Sequence, residues 1–255
     1  MALFMDGPIN GTADLQDYES SILTMAVTEG IDIASKMTLA QDELARQLLL
    51  FLLRVPMRDS KAAVRRVIAI RDVVITRPLK HCHALKSLAL TYLDAYNSQL
   101  NDRYLGKWNE YERVAQEALE EYLQIGIGMV ADPIPRGTGP SLTTIAGDGG
   151  AMTYYVATSW LNATGQEGAL GDVDSIAVPD GTQVVVSTTN EPGNVSEWNV
   201  YAGTAADLIT LQNGGPIPTG SSWTLPSRGL ISGRPPGNGQ EPDYFLFHDR
   251  RIQRG

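Results

Sequence analysis

The hydrophobic period of this chain changes once, at the stretch ADPIPRGTGP, residues 131–140. Before it, apolar residues recur three and four apart, the repeat of a helix face. After it they come in short alternating runs among Gly, Thr, Val, Asn and Pro, the repeat of a strand. A helical pattern does not settle into a sheet, nor an alternating one into a helix. The chain is therefore expected to be multidomain α and β. An N-terminal α-helical bundle comes first, followed by a C-terminal antiparallel β-sandwich and an extended C-terminal arm. Its 255 residues suffice for one large domain or two ordinary ones. The expected division is 1–130 helical bundle, 131–141 linker, 142–235 sandwich, and 236–255 a C-terminal strand and basic arm.

The first part reads as four or five helices. ADLQDYESSILTMAVTEG has an acidic first turn and Gly30 as its stop. TLAQDELARQLLLFLL opens with Thr38 and Gln41 at capping-box spacing and ends before Pro56. SKAAVRRVIAIRDVVI suits a helix at positions 63, 64, 67, 68 and 70, while its β-branched end reads either way. TRPLKHCHALKSLALTYLDAYNSQL has Thr76 as a cap and Pro78 in the first turn. In DRYLGKWNEYERVAQEALEEYL, residues Tyr104, Trp108, Tyr111, Ala115, Ala118 and Tyr122 form a seam. That helix either continues the preceding one through Leu100 or breaks from it at Asn101 and Asp102.

Six strands are expected in the second part: MTYYVATSWLN, TQVVVST, SEWNVYAG, DLITLQ, SSWTL and DYFLFHD. In SEWNVYAG, Trp198, Val200 and Ala202 share one face and Asn199 and Tyr201 the other. Asn213-Gly214 reads as a hairpin turn.

His81, Cys82 and His83 look like metal chemistry. Yet on a helix, residues two apart point about 200° from one another, so the two histidines cannot share an ion. A zinc site needs three or four ligands; the third histidine, His248, is far off, and there is no second cysteine. Cys82 is expected in a helix core with Leu79, Leu85, Ala89, Leu93 and Tyr96, flanked by the histidines. No nucleophile elbow, zincin helix or phosphate loop is present, and GDGG at 147–150 reads as a turn. Glu120 and Glu121 read as a solvated helix face. The residues point to no catalytic, cofactor-binding or metal site, and no enzyme is expected.

The net charge of −9 argues against nonspecific wrapping of nucleic acid. Charge is uneven, however. Between Gly137 and Asp249, eleven acidic residues face only Arg228 and Arg234, after which Arg250, Arg251 and Arg254 follow together. Another basic concentration, with Arg58, Lys61, Arg65 and Arg66, could line a DNA channel or pair with Asp59 and Asp72 on a surface. The run LLLFLL is too short to span a membrane and reads as a buried segment or an oligomer contact. The N-terminal stretch lacks the pattern of a signal peptide, so the sequons NGT, NAT and NVS are expected to be chance matches.

The stretch LKSLALTYLDAYNSQLNDRYLGKWNEYERVAQEALEEYLQIGIGMVADPIPR resembles the terminal helices of tailed-phage head–tail connector (adaptor, or head-completion) proteins. TYYVATSWLNATGQEG and VSEWNVYAGT resemble a late strand pair and the central tryptophan strand of an immunoglobulin-like or fibronectin type III module, in permuted order. The resemblance implies a virion structural protein: a homo-oligomeric ring, twelve copies by resemblance, between portal protein and tail or neck proteins, with genomic DNA in the channel. It implies a place at the virion neck after synthesis in the host cytoplasm, without cofactor or membrane. Arg250, Arg251 and Arg254 are then expected on an arm that docks on the portal or a neighbouring subunit, such that deleting 236–255 abolishes assembly while leaving both domains folded. Two alternatives are a tail-completion or baseplate protein and a carbohydrate- or receptor-binding module. The latter would use Trp160, Trp198, Trp223, Tyr154, Tyr155 and Tyr201 as an aromatic platform.

Overall fold

A computed structural model describes residues 1–54, 69–99 and 102–247. Among the described residues five helices come first: α1 Thr12–Gln16, α2 Ile22–Glu29, α3 Ile33–Arg54, α4 Arg77–Gln99 and α5 Asp102–Ile125, with a 3-10 turn at Ile70–Asp72. The strands are β1 Ile127–Met129, β2 Ser141–Ala146, β3 Met152–Leu161, β4 Asp174–Val178, β5 Thr182–Ser187, β6 Glu197–Gly203, β7 Thr210–Leu211, β8 Ile217–Pro218, β9 Trp223–Thr224 and β10 Tyr244–Leu246. All strand pairs are antiparallel. The chain forms two compact units: Gly7–Met129 with Pro242–Gly255, and Met1–Asp6 with Val130–Glu241.

The helical unit differs from its sequence reading at several helix ends. The run 13–30 is two helices, because the chain leaves helical geometry between α1 and α2. Gly30 does stop α2: its φ of 68° is left-handed, and its N–H reaches back to Ala26 and Val27. α3 starts five residues before Thr38. Asp32 Oδ1 accepts from Ser35 N at 3.3 Å near its start, and Thr38 Oγ1 donates to Ala34 O at 3.0 Å within the helix. A local capping pattern lost here because the apolar spacing extends upstream, with Ile33 and Met37 buried. Thr76 O accepts from Lys80 N at the start of α4.

α4 and α5 are separate helices that fold back on each other. Tyr92 stacks on Tyr111 with ring centroids 5.6 Å apart, and Lys86 Nζ reaches Glu112 at 3.1 Å. The α5 seam faces this contact, with Tyr104, Ala115, Ala118 and Tyr122 buried and Trp108 and Tyr111 packed at its edge. The core gathers Leu15, Ile22, Met37, Ala84, Leu88 and Tyr92 from four helices. Of the 60–75 segment, the described end is a 3-10 turn followed by extended backbone: Val73 bridges Met129, and Val74 N donates to Gly128 O.

In the other unit, β2-β5-β9 and β4-β3-β6-β7 are separate sheets, with β8 also paired to β6. Both line one core. Val184 and Val186 come from the first sheet, and Tyr154, Val156, Trp160, Trp198, Val200 and Ala202 from the second. Trp160 and Trp198 are direct cross-strand partners and fully buried. Each removes on the order of 200 Å² from water, worth roughly 5 kcal/mol. The residues of β6 that alternation puts on one face, Trp198, Val200 and Ala202, thus lie together in this core.

Three sequence expectations change here. Residues 131–141 are packed into the sheet unit. Ile134 is in its core, Gly137 N donates to Ala169 O, and a Cβ on Gly137 would lie 2.0 Å from Thr158 O. DYFLFHD does not close the sheet series: β10 pairs with β1, Leu246 opposite Ile127, in the helical unit. Asn213 does not form a hairpin turn of the positive-φ kind. Its Oδ1 accepts from Val200 N and its Nδ2 donates to Asn199 Oδ1 and Gly215 O, so the side chain replaces sheet hydrogen bonds between β7 and β8.

Candidate functional site

The His-Cys-His stretch lies in the first turns of α4, and the helix separates its members. His81 is exposed and shares a 3.0 Å hydrogen bond with Tyr18 Oη. Cys82 is buried, and burial pushes its thiol up to about 12, so it is no nucleophile near neutral pH. His83 is fully buried and part of the core, where the sequence had placed it only at the flank. Its Nε2 lies 2.9 Å from Met37 O, which can only accept, so Nε2 carries the proton. Nδ1 then accepts from Asn10 Nδ2 at 3.1 Å, while the same amide donates to Lys80 O. Both ring nitrogens are satisfied in the neutral form, and burial lowers the pKa of His83. Among the described residues no group of three or more His, Cys, Asp or Glu could hold a metal ion.

A cleft of about 430 Å³ opens between α2, α4 and α5, lined by Glu19, Thr24, Met25, Tyr92, Tyr104 and Lys107 among others. Its charges are already matched. Glu19 accepts from Lys107 at 3.0 Å, Ser21 at 3.0 Å and Tyr111 at 3.1 Å. Burial pulls the Glu19 carboxyl up, but these bonds outweigh it and leave the pKa lowered. Tyr104 Oη donates to Glu29 at 2.6 Å and accepts from Arg103 at 2.7 Å. Burial, then Glu19, pushes Tyr92 up to about 12. A carboxylate held ionised by three donors is a poor general acid, and the arrangement serves helix packing. Sequence reasoning missed it because its members come from positions 19 to 111.

The outer face of α3 is different. Met37, Ala40, Leu44, Leu48, Phe51 and Leu52 are buried on one side. Leu39, Leu49, Leu50 and Leu53 lie on the other, within an arc of about 100° at 3.6 residues per turn. The last three are 44%, 53% and 74% exposed. LLLFLL is therefore both a buried segment and an exposed apolar face.

Arg58, Lys61, Arg65 and Arg66, the candidate channel residues, lie outside the described residues, as do Arg250, Arg251 and Arg254. No described helix is long and apolar enough to cross a membrane. The six aromatic residues do not build a platform. Trp160, Trp198, Tyr154 and Tyr201 are buried, the first three within the sheet core. On the other face of β3 and β6, Glu167 accepts from Asn199 Nδ2 at 3.0 Å, Tyr201 Oη at 2.7 Å, Ser159 Oγ and Arg234. Of the sequon asparagines, Asn10 and Asn162 are buried.

Comparison with protein-family models, with curated proteins and with solved structures finds no match to this chain.

Proposed function

We propose that this protein is a structural subunit of a tailed-bacteriophage virion: a head-to-tail connector, or adaptor, that forms a ring between portal and tail with genomic DNA passing through. The observation that carries the reading is α3. A helix apolar on both faces, with four leucines open to solvent beside a filled core, calls for a second surface to bury them. A subunit of a closed ring supplies that surface from its neighbour. The α4–α5 pair, which carries the resemblance to connector helices, then belongs to a helical bundle. The two sheets around the Trp160–Trp198 core form an immunoglobulin-like sandwich. The paired charges of the α2–α4–α5 cleft and the alkaline-shifted Cys82 suit a scaffold better than a catalyst.

The proposed arm is shorter than the sequence suggests. Gln240 is buried, accepting from Ile134 N and donating to Asp132 O, and β10 pairs with β1. Deleting 236–255 therefore removes folded structure, and a deletion that tests docking must begin after Phe247.

Two measurements test the reading. The native mass of the purified chain is expected to be that of a closed ring, twelve copies by the resemblance. Gold-tagged antibody against residues 142–235 is expected at the head–tail junction of intact particles. Label at the distal tail would transfer the protein to a tail-completion or baseplate role. Absence of label from intact, accessible virions overturns the proposal.

A further inference from the structure

We infer that the free edge of β2 is a strand-addition site for the basic C-terminal tail, residues 248–255, of a second copy of this chain. The inference rests on the ring reading given above and names a contact within it.

β2 is the outer strand of its sheet and pairs only with β5 among the described residues. Its register runs unbroken from Ser141 opposite Ser187 to Ala146 opposite Thr182, so no bulge turns the edge away. SLTTIA contains no charge, proline or glycine, the usual means of blunting an edge. The molecule does guard its other edges. Beside β7, Leu211 N donates to Arg234 O at 2.9 Å and the Gln212 side chain bonds both Ile231 N and Ile231 O. β4 opens with the exposed Asp174, and β9 has only two residues. β2 is the one long neutral edge left open among the described strands.

Charge selects the occupant. Asp148 follows the end of β2 by two residues, and Asp174 Oδ2 lies against Gly139, two residues before its start. Pairing β2 with β2 of another copy would bring these acids together, and β4 of another copy would bring its own. A basic strand avoids both. Residues 248–255 read HDRRIQRG, with Arg250, Ile252 and Arg254 on one side of an extended chain. Eight extended residues span about 26 Å, against about 20 Å for the six of β2. Ile145, 46% exposed on that edge, is an apolar neighbour for Ile252, which puts one of the two flanking arginines, Arg250 or Arg254, opposite Gly147 and beside Asp148. Main-chain hydrogen bonds supply the binding, and the arginines set the register.

Hydrogen exchange of residues 141–146 tests this. The full chain at assembling concentration is compared with a protein ending at Phe247, and with the full chain carrying Arg250→Glu, Arg251→Glu and Arg254→Glu. Exchange in β2 is expected to be at least tenfold slower in the full chain than in either variant. A synthetic peptide of residues 248–255 added to the truncated protein should restore protection, and N-methylation of alternate peptide nitrogens should abolish it in one register only. Protection indifferent to N-methylation, or already present in the dilute monomer, overturns the inference. The mass of the same samples separates the two readings. A ring whose β2 exchanges as fast as the truncated protein overturns the inference and leaves the ring. A chain that never assembles, but whose β2 the peptide still protects, overturns the ring and leaves the strand-addition site.

Discussion

Glu167 and Arg234, 67 residues apart in sequence, meet at 2.5 Å on the face of the β4-β3-β6-β7 sheet that lies away from the tryptophan core. Asn199, Tyr201 and Ser159 donate to the other carboxylate oxygen. One acid thus ties the segment carrying Arg234 to β3 and β6. Glu167→Ala strands four donors and is expected to cost about 3 kcal/mol. Arg234 is half exposed, so Arg234→Met should cost only about 1 kcal/mol. Burial raises the Glu167 pKa, but its donors outweigh that and hold it below the ordinary 4.5. The contribution is present above that ordinary value and is lost as pH falls through the lower, folded one. Urea midpoints down to about pH 3 should show an acid loss in the parent that is reduced in Glu167→Gln.

His83 makes a second pH prediction. Its folded pKa lies below the ordinary 6.5, because burial penalises the charge. The unfolded chain therefore binds the proton first. Stability should be full above about pH 6.5 and fall as pH drops from there through the folded pKa. His83→Gln should remove this slope, and His81→Asn, at an exposed site, should change stability by less than about 0.5 kcal/mol. Zinc should not raise the melting temperature; a zinc-dependent rise lost in either variant would overturn the helix geometry of the pair.

The indole N–H groups of Trp160 and Trp198 are buried and have no hydrogen-bond partner among the described residues. Trp198→Phe removes an unsatisfied donor together with some volume, so its cost should be only about 1 kcal/mol, while Trp198→Ala should cost about 3–5 kcal/mol. Comparing their urea midpoints checks this; equal costs would mean that the indole N–H has a partner.

Gly137→Ala should destabilise strongly, because its Cβ has only 2.0 Å to Thr158 O. Thermal melting of this variant beside Gly193→Ala, where the added methyl meets nothing within 4 Å, gives the comparison. A true linker would tolerate both equally.

Leu50→Lys with Leu53→Lys removes half of the exposed α3 leucines. Stability of the isolated subunit should change by less than about 1 kcal/mol, since neither side chain is in the core. On the ring reading proposed above, the native mass should fall to that of a monomer. An unchanged ring would place the interface elsewhere.

Much of this architecture was legible residue by residue. The 3.6 period located α3, α4 and α5, and the alternation in SEWNVYAG put Trp198 and Val200 on one face and Tyr201 on the other, which pack into separate clusters. Geometry alone separated His81 from His83. The β2 and β4 strands were missed, being dominated by exposed residues without clean alternation. The end of the candidate site that involves Arg58 to Arg66 and Arg250 to Arg254 remains a matter of sequence, since those residues lie outside the described structure.

By itself the sequence determined the order of helices before strands, which residues of β6 share a face and the seam of α5. Each of these depends on which side of one segment a residue occupies, and periodicity reports that directly. Tertiary structure decided the rest: that Leu246 pairs with Ile127, that Met1–Asp6 and Ile134 belong to the sheet unit, and that Glu167 collects donors from Ser159 to Arg234. Those partners are distant along the chain. Their choice follows from which backbone and charged groups must be satisfied once the cores close, and no local pattern encodes it.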